Sequence, residues 1–186
     1  MELEKYIAFI EEAERLKSVV RTAWTSNGRR ESTAEHSWRL ALLAGVMKEY
    51  YPELDLSKVI MMSLIHDIGE LYEGDISAAL CPDKVDKFDI EFRAAKSVFG
   101  LLPEQVANQM MDLWMEYNSN TTPEAKLVKA LDKAETIIQH NQGDNPEDFN
   151  YQFNLGYGLE YFKDNKMLEQ LRAVIDEKTR HKDKEG

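Results

Sequence analysis

Apolar residues recur at helical spacing through most of the chain, broken by short polar segments that carry Asn, Gly or Pro. Leu3, Ile7, Ile10, Ala13 and Val20 share one stripe among charged residues, which predicts an amphipathic helix over residues 2–20 on the outside of a bundle. Residues 21–30 contain Asn27-Gly28 and no sustained apolar period, so a loop is expected. Ser32-Thr33-Ala34-Glu35 has the spacing of a capping box, in which hydroxyl and carboxylate satisfy unpaired backbone donors at a helix start. The helix it opens should run from about Thr33 to Tyr50. His36 falls on its stripe with Leu40, Leu43, Met47 and Tyr50, and so should point inward.

After Pro52, the run Val59 to Ile65 is apolar almost all round, the pattern of a helix buried on most sides. It ends in His66-Asp67 and Gly69-Glu70. Glu70 lies four residues after His66 and three after Asp67, so the three can share the accessible face of the last turn. Gly74-Asp75 reads as a turn and Cys81-Pro82-Asp83 as a break before a charged, exposed helix with Phe88, Phe92, Ala95 and Phe99. Pro103 begins a helix through Trp114 and Tyr117. Thr122-Pro123 caps another, with Leu127, Leu131, Ala134 and Ile138 as its stripe and Asp132 on the flank. Residues 141–158, rich in Asn, Gly and aromatics, are expected to be irregular. Helix resumes near Leu159, and the last helix carries Met167, Leu168, Leu171 and Ile175 before a frayed polar tail. With no alternating strand pattern, repeat or domain-sized linker, the expectation is one all-α helical bundle spanning residues 1–186.

Composition narrows the function. A hydrophobic share of 43% with 31% charged residues fits a globular protein. The net charge of −11 would repel the backbone of a long nucleic acid, so no nucleic-acid polymer is expected as partner. A small phosphorylated molecule remains compatible, because a divalent cation and one or two arginines can reverse the field inside a pocket. No stretch approaches the ~20 apolar residues of a membrane span, and the N-terminus is too charged for a secretory signal, so no membrane partner and a cytoplasmic location are expected. The single cysteine, Cys81, excludes an intrachain disulfide and reads as an ordinary packed or loop thiol.

The informative pair is His66-Asp67, because two polar groups ending so apolar a helix each cost several kcal/mol to desolvate unless paired or metal-bound. Taken singly, each candidate has an ordinary explanation. His66-Asp67 could be a helix end open to water, His36 a buried histidine bonded to a backbone carbonyl, and Asp132, followed by Lys133, a solvated surface group.

The order of these groups, His36, then His66-Asp67, then Asp132 preceded by Leu127-Val128-Lys129-Ala130-Leu131, resembles the HD-domain family of metal-dependent phosphohydrolases. That resemblance implies an HD-domain helical bundle in which His36, His66, Asp67 and Asp132 ligate one divalent metal ion. Two imidazoles and two carboxylates suit Mn, Co, Fe, Ni or Zn. Arg21-Thr22 with Trp24, Arg30-Glu31-Ser32, Glu35-His36 and residues 66–76 are similar to the small 5′-deoxynucleotidase branch. The likeness covers roughly residues 15–140, leaving 141–186 as a helical extension.

The branch implies a nucleotide substrate and a homodimer, for which Tyr50, Tyr51, Trp114 and Tyr117 are candidate interface residues. It also implies Glu70 and Asp67 as catalytic carboxylates, Arg21 on the substrate phosphate, and Asp75 and Trp24 near the sugar or base. From the residues alone, Arg21 could equally pair with an acidic surface, Glu70 close a helix end, Asp75 cap the next element and Trp24 anchor a loop. One departure is that Thr22, not tryptophan, follows Arg21, which leaves sugar discrimination open. Only His140 and His181 remain as further histidines, too few for a binuclear subclass. Competing functions are hydrolysis of another phosphate ester such as an alarmone, although Gly69-Glu70 replaces the acidic pair of those enzymes, and a helical sensor that binds metal and nucleotide without turnover.

Overall fold

Helices dominate the computed structural model, which describes residues 1–75 and 84–185. In chain order these form α1 (Glu2–Ala13), a hairpin of β1 (Val20–Trp24) and β2 (Arg30–Ser32), α2 (Thr33–Val46), α3 (Leu56–Ile65) and α4 (Lys84–Phe99). They continue with α5 (Glu104–Ser119), α6 (Pro123–Gln142), α7 (Tyr151–Gly156) and α8 (Lys166–Glu185). The all-α expectation holds, with the small hairpin as an addition.

The helix starts follow local chemistry. The Ser32 side chain accepts from Glu35 N while Glu35 reaches back to Ser32 N, the reciprocal box that fixes the first turn of α2. Thr122 caps α6, whose first residue is Pro123. Asp55 caps α3 by accepting from Lys58 N.

Two packed clusters fill the interior. One joins α2, α3 and α6 through Leu40, Met62, Val128, Leu131 and Ile137, with Leu168 and Ile175 of α8 laid against them. The other joins the end of α3 to α4 and α5 through Ile65, Ile68, Val98, Phe99 and Trp114. Met62 belongs to the first and Ile65 to the second, so the C-terminus of α3 lies at the seam where the polar residues converge.

Several elements differ from expectation. α1 stops at Ala13, and Val20 belongs to β1. Phe9 and Ala13 pack inward, whereas Leu3, Ile7 and Ile10 are 69%, 58% and 66% exposed. The segment expected as a loop is a hairpin closed around Asn27-Gly28, where Gly28 takes φ 78°, as such turns require. Strand alternation turns Arg21 and Ala23 inward.

α2 ends at Val46, and Tyr50 beyond it is exposed. α4 is not simply an exposed helix, since Ala95 and Phe99 are buried and Phe88 and Phe92 lie against Trp114. Tyr51, Trp114 and Tyr117 are themselves buried, so they serve the core and not an interface. Within 141–158 the short α7 forms, and α8 runs through the expected frayed tail to Glu185. The expected break at Cys81-Pro82-Asp83 lies outside the described residues. Among the described residues, no helix is long and apolar enough to cross a membrane.

Candidate metal centre

α3 delivers His66 as its C-terminal cap, after which Asp67 turns the chain into a 3-10 segment, Ile68–Glu70. The His66 Nδ1–H donates to the Ser63 carbonyl at 2.8 Å, which fixes the tautomer and leaves Nε2 facing the seam. The Trp114 Nε1–H donates to the His66 carbonyl at 3.1 Å, satisfying one of the acceptors a helix end leaves open. Gly69 is required by packing. A Cβ there would lie 2.7 Å from Glu91 Cβ and 2.8 Å from the Glu91 carbonyl, so only glycine lets α4 approach this turn.

α2 supplies His36 from its inward stripe, fully buried. Its Nδ1 lies 2.5 Å from Glu135 Oε2, whose other oxygen meets Arg39 Nε at 3.1 Å. α6 supplies both Glu135 and Asp132, which is buried and not the solvated group its neighbour Lys133 suggested. Tyr117 Oη–H donates to Asp132 Oδ2 at 2.8 Å, and Lys133 Nζ donates to the same oxygen at 2.9 Å. The free oxygen, Oδ1, lies 3.2 Å from His36 Nε2 and 4.0 Å from His66 Nε2. Asp67 Oδ2 lies 3.0 Å from His66 Nε2 and 3.8 Å from His36 Nε2.

Both Nε2 atoms are buried and outside hydrogen-bond geometry. Two orphaned imidazole nitrogens facing two carboxylate oxygens fit a divalent cation, which would replace four costly contacts with four bonds. One atom each from His36, His66 and Asp67 lies within 4.8 Å of the others, with Asp132 Oδ1 closing the fourth side. A second grouping, Glu31, His36 and Glu135, shares His36 but is met by the guanidiniums of Arg21 and Arg39. With these cations already beside its carboxylates, this grouping is the less suited of the two to a divalent cation.

Charge states follow from the crowding. Burial opposes ionisation of Asp67 and Asp132, yet His66 beside Asp67, and Lys133 and His36 beside Asp132, hold both below the carboxylate range. Burial and Arg21 disfavour an imidazolium at His36, but Glu135 and Asp132 outweigh them and raise it to about 10. Glu70 is pushed well above the carboxylate range by burial and by Asp67 and Asp75. Glu31, buried beside Glu135, rises to about 7.

Beside these candidate ligands opens a cleft of ≈ 390 Å³ that reaches Arg21, Asp67, Glu70, Asp75, Tyr157 and Tyr161. That is within the usual range for small-molecule sites. Arg21 arrives from β1, with Nη1 3.3 Å from Asp67 Oδ2, Nη2 3.2 Å from Thr136 Oγ1 and Nε 3.6 Å from Glu31 Oε2. Glu70 accepts from Thr33 Oγ1 at 3.3 Å.

The structure therefore brings together His36, His66, Asp67, Glu70, Asp75, Asp132 and Arg21. It does not bring Trp24, whose indole packs under Arg30 and against Phe149. His140 also stands apart, with Nδ1 2.8 Å from Asn154 Oδ1. Sequence reasoning missed Glu31, Glu135 and Tyr117. The signal that could have found Glu135 is its place three residues after Asp132 on an otherwise apolar face.

Residues 13–172 match the family model described as HD domain. The chain is 35% identical over 138 residues to the human 5′-deoxynucleotidase HDDC2, covering 73% of this chain and 67% of that protein. Its identity to 5′-deoxynucleotidase HDDC2 of Dictyostelium discoideum is 33% over 145 residues, 74% and 76% of the two chains. Among solved structures, a predicted metal-dependent phosphohydrolase from Magnetospirillum magnetotacticum MS-1 superposes with TM-score 0.81 at 30% identity, covering 96% of each chain. The fold, the four converging side chains and these relatives agree: this chain belongs to the HD-domain family.

Proposed function

We propose that this protein is a metal-dependent 5′-deoxynucleotidase that hydrolyses deoxynucleoside 5′-monophosphates to nucleoside and phosphate. The observation that carries this reading is the pair of buried, unpartnered imidazole nitrogens facing Asp67 and Asp132 at a cleft that also holds Arg21 and Glu70. The names of the human and Dictyostelium relatives supply the substrate class. His36, His66, Asp67 and Asp132 would hold a single ion, and their mixed nitrogen and oxygen donors suit Mn, Co, Fe, Ni or Zn.

Such an ion supplies Lewis acidity at the phosphoryl group and lowers the pKa of water toward ~7. The remaining work falls to the side chains. Glu70, whose raised pKa suits it to proton exchange, would in its ionised form orient the attacking water, take its proton and return one to the nucleoside 5′-oxygen. Arg21 offsets charge on the phosphoryl oxygens as the bond to the nucleoside 5′-oxygen breaks. Asp75 meets the nucleoside at the cleft rim. Trp24 contributes through its carbonyl, which accepts from Gln139 Nε2 at 2.6 Å and ties β1 to α6, so that Arg21 is held in place.

The deciding experiment measures phosphate release from deoxyribo- and ribonucleoside 5′-monophosphates with chelator-stripped protein resupplied with Mn or Co, beside His66→Ala and Asp67→Ala. Release that needs metal and both side chains, and that favours the deoxy sugar, is the expected result. No release from any monophosphate by metal-loaded protein would refute the nucleotidase reading.

We infer a homodimer as well, with an interface on residues other than the buried Tyr51, Trp114 and Tyr117. Trp38, Leu42 and Val46 lie at four-residue spacing on the outward face of α2, with Met61 and Leu64 exposed on the adjacent α3. An apolar stripe of this kind on a chain of net charge −11 supports burial against a second copy.

A further inference from the structure

Among the described residues, four cations line the cleft: Arg21, Lys87, Lys129 and Lys133. Three of them meet carboxylates of the protein, Arg21 with Asp67 at 3.3 Å, Lys87 with Glu91 at 3.1 Å and Lys133 with Asp132 at 2.9 Å. Lys129 differs. Among the described residues its ammonium has no carboxylate at ion-pair distance, and its contact is the face of the Tyr117 ring, with Nζ 3.5 Å from the centroid. That ring lies 5.1 Å from the His66 ring, and its hydroxyl holds Asp132 Oδ2. Lys129 is thus stationed one side chain away from the candidate ligands, on the wall of the cleft. Helical spacing puts it on the same face of α6 as Asp132 and Lys133, three and four residues on.

We propose that Lys129 is a substrate-binding residue whose ammonium receives an outer oxygen of the phosphomonoester dianion. The inference rests on the phosphohydrolase reading of the cleft and names a contact that reading did not contain. The chemical reason is charge accounting within the cleft. A monoester brings a charge of about −1.5 to −2, and Arg21 already shares its positive charge with Asp67 and Glu31. Lys129 is the cation left to answer the substrate. Burial and the neighbouring Lys133 pull its ammonium down to about 8, while Asp132, Asp67 and Glu91 pull the other way. An anion between Lys129 and Lys133 relieves that repulsion. The Tyr117 face orients the ammonium without neutralising it, which leaves its hydrogen-bond donors available.

The test compares the metal-loaded full chain with Lys129→Met, which keeps length and removes charge, and Lys129→Arg, which keeps charge. Binding of inorganic phosphate is measured by calorimetry, beside KM and kcat for a deoxynucleoside 5′-monophosphate and the Kd for Mn. Loss of one charge-assisted hydrogen bond predicts phosphate Kd and KM about 10- to 100-fold higher in Lys129→Met, with Mn affinity and Tm unchanged and most of the loss restored in Lys129→Arg. Phosphate affinity unchanged in Lys129→Met overturns the proposal. So does an equal loss of Mn affinity, which would make Lys129 a structural support. Phosphate binding keeps the two readings distinguishable. If Lys129→Met weakens phosphate while the parent protein cleaves no nucleotide, the anion site stands and the nucleotidase reading falls.

Discussion

Replacing Glu135 by alanine should weaken metal binding although Glu135 is not placed among the ligands. In the structure its Oε2 lies 2.5 Å from His36 Nδ1, and Arg39 Nε holds its other oxygen at 3.1 Å. This arrangement keeps a proton on Nδ1, so that the ring, once it loses its second proton to an arriving metal, presents the Nε2 lone pair to the site, as outer-shell carboxylates do for metal-bound histidine. Loss of such a partner costs about 10- to 100-fold in metal affinity, equivalent to about 1.4–2.8 kcal/mol. Glu135→Gln keeps an acceptor oxygen but loses the charge that Arg39 meets, so its loss should be smaller, under about tenfold. Calorimetric titration of Mn into chelator-stripped protein reads the effect, with thermal unfolding of the metal-free proteins as control. Removal of a buried hydrogen-bonded carboxylate should also lower Tm, since such bonds contribute about 1.5–3 kcal/mol. The reasoning fails if Tm drops while the Mn Kd of Glu135→Ala stays within about twofold of the parent, because Glu135 would then be supporting the fold alone.

Metal binding should release a proton at about pH 8, because His36 sits near 10 without metal and must be deprotonated to ligate. Calorimetry in two buffers of different ionisation heat would show this, and identical apparent enthalpies would contradict it. By the same linkage, a pKa raised from 6.5 to about 10 contributes stability to the metal-free protein that is fully present below pH 6.5 and lost as pH rises through 10. The metal-loaded form should lack that alkaline decline. For the dimer, Trp38→Asp places a charge on the α2 stripe, where Trp38 is 61% exposed, and should give a folded monomer, its mass read by light scattering and its helicity by circular dichroism. A dimer persisting in that variant would move the interface elsewhere.

The helical class and most helix starts follow from the sequence directly, because they depend on local chemistry. Ser32 with Glu35, and Thr122 with Pro123, set their first turns wherever the chain goes. His36, His66, Asp67 and Asp132 were legible through their order and company, since none of the four is distinctive alone. Packing decided the burial of His36, His66 and Asp132 and left Asp67 half-buried at the cleft. Asp132 reads as a surface residue until Tyr117, far from any ligand motif, donates to it from α5. Glu31 and Glu135 look like two of many acidic residues, and only the approach of β2 and α6 to α2 makes them the buried anions around His36.

The hairpin was missed because β1 and β2 are too short for alternation to stand out, although Asn27-Gly28 marked its turn. α1 shows the opposite limit. Of its stripe of Leu3, Ile7, Ile10 and Ala13, only Ala13 packs inward, together with Phe9, and both are half-buried. Periodicity identifies a helix, but which side faces the protein depends on what tertiary structure sets beside it. Lys129 is the clearest case, since its meaning comes from the carboxylates that Arg21, Lys87 and Lys133 meet and that, among the described residues, it does not.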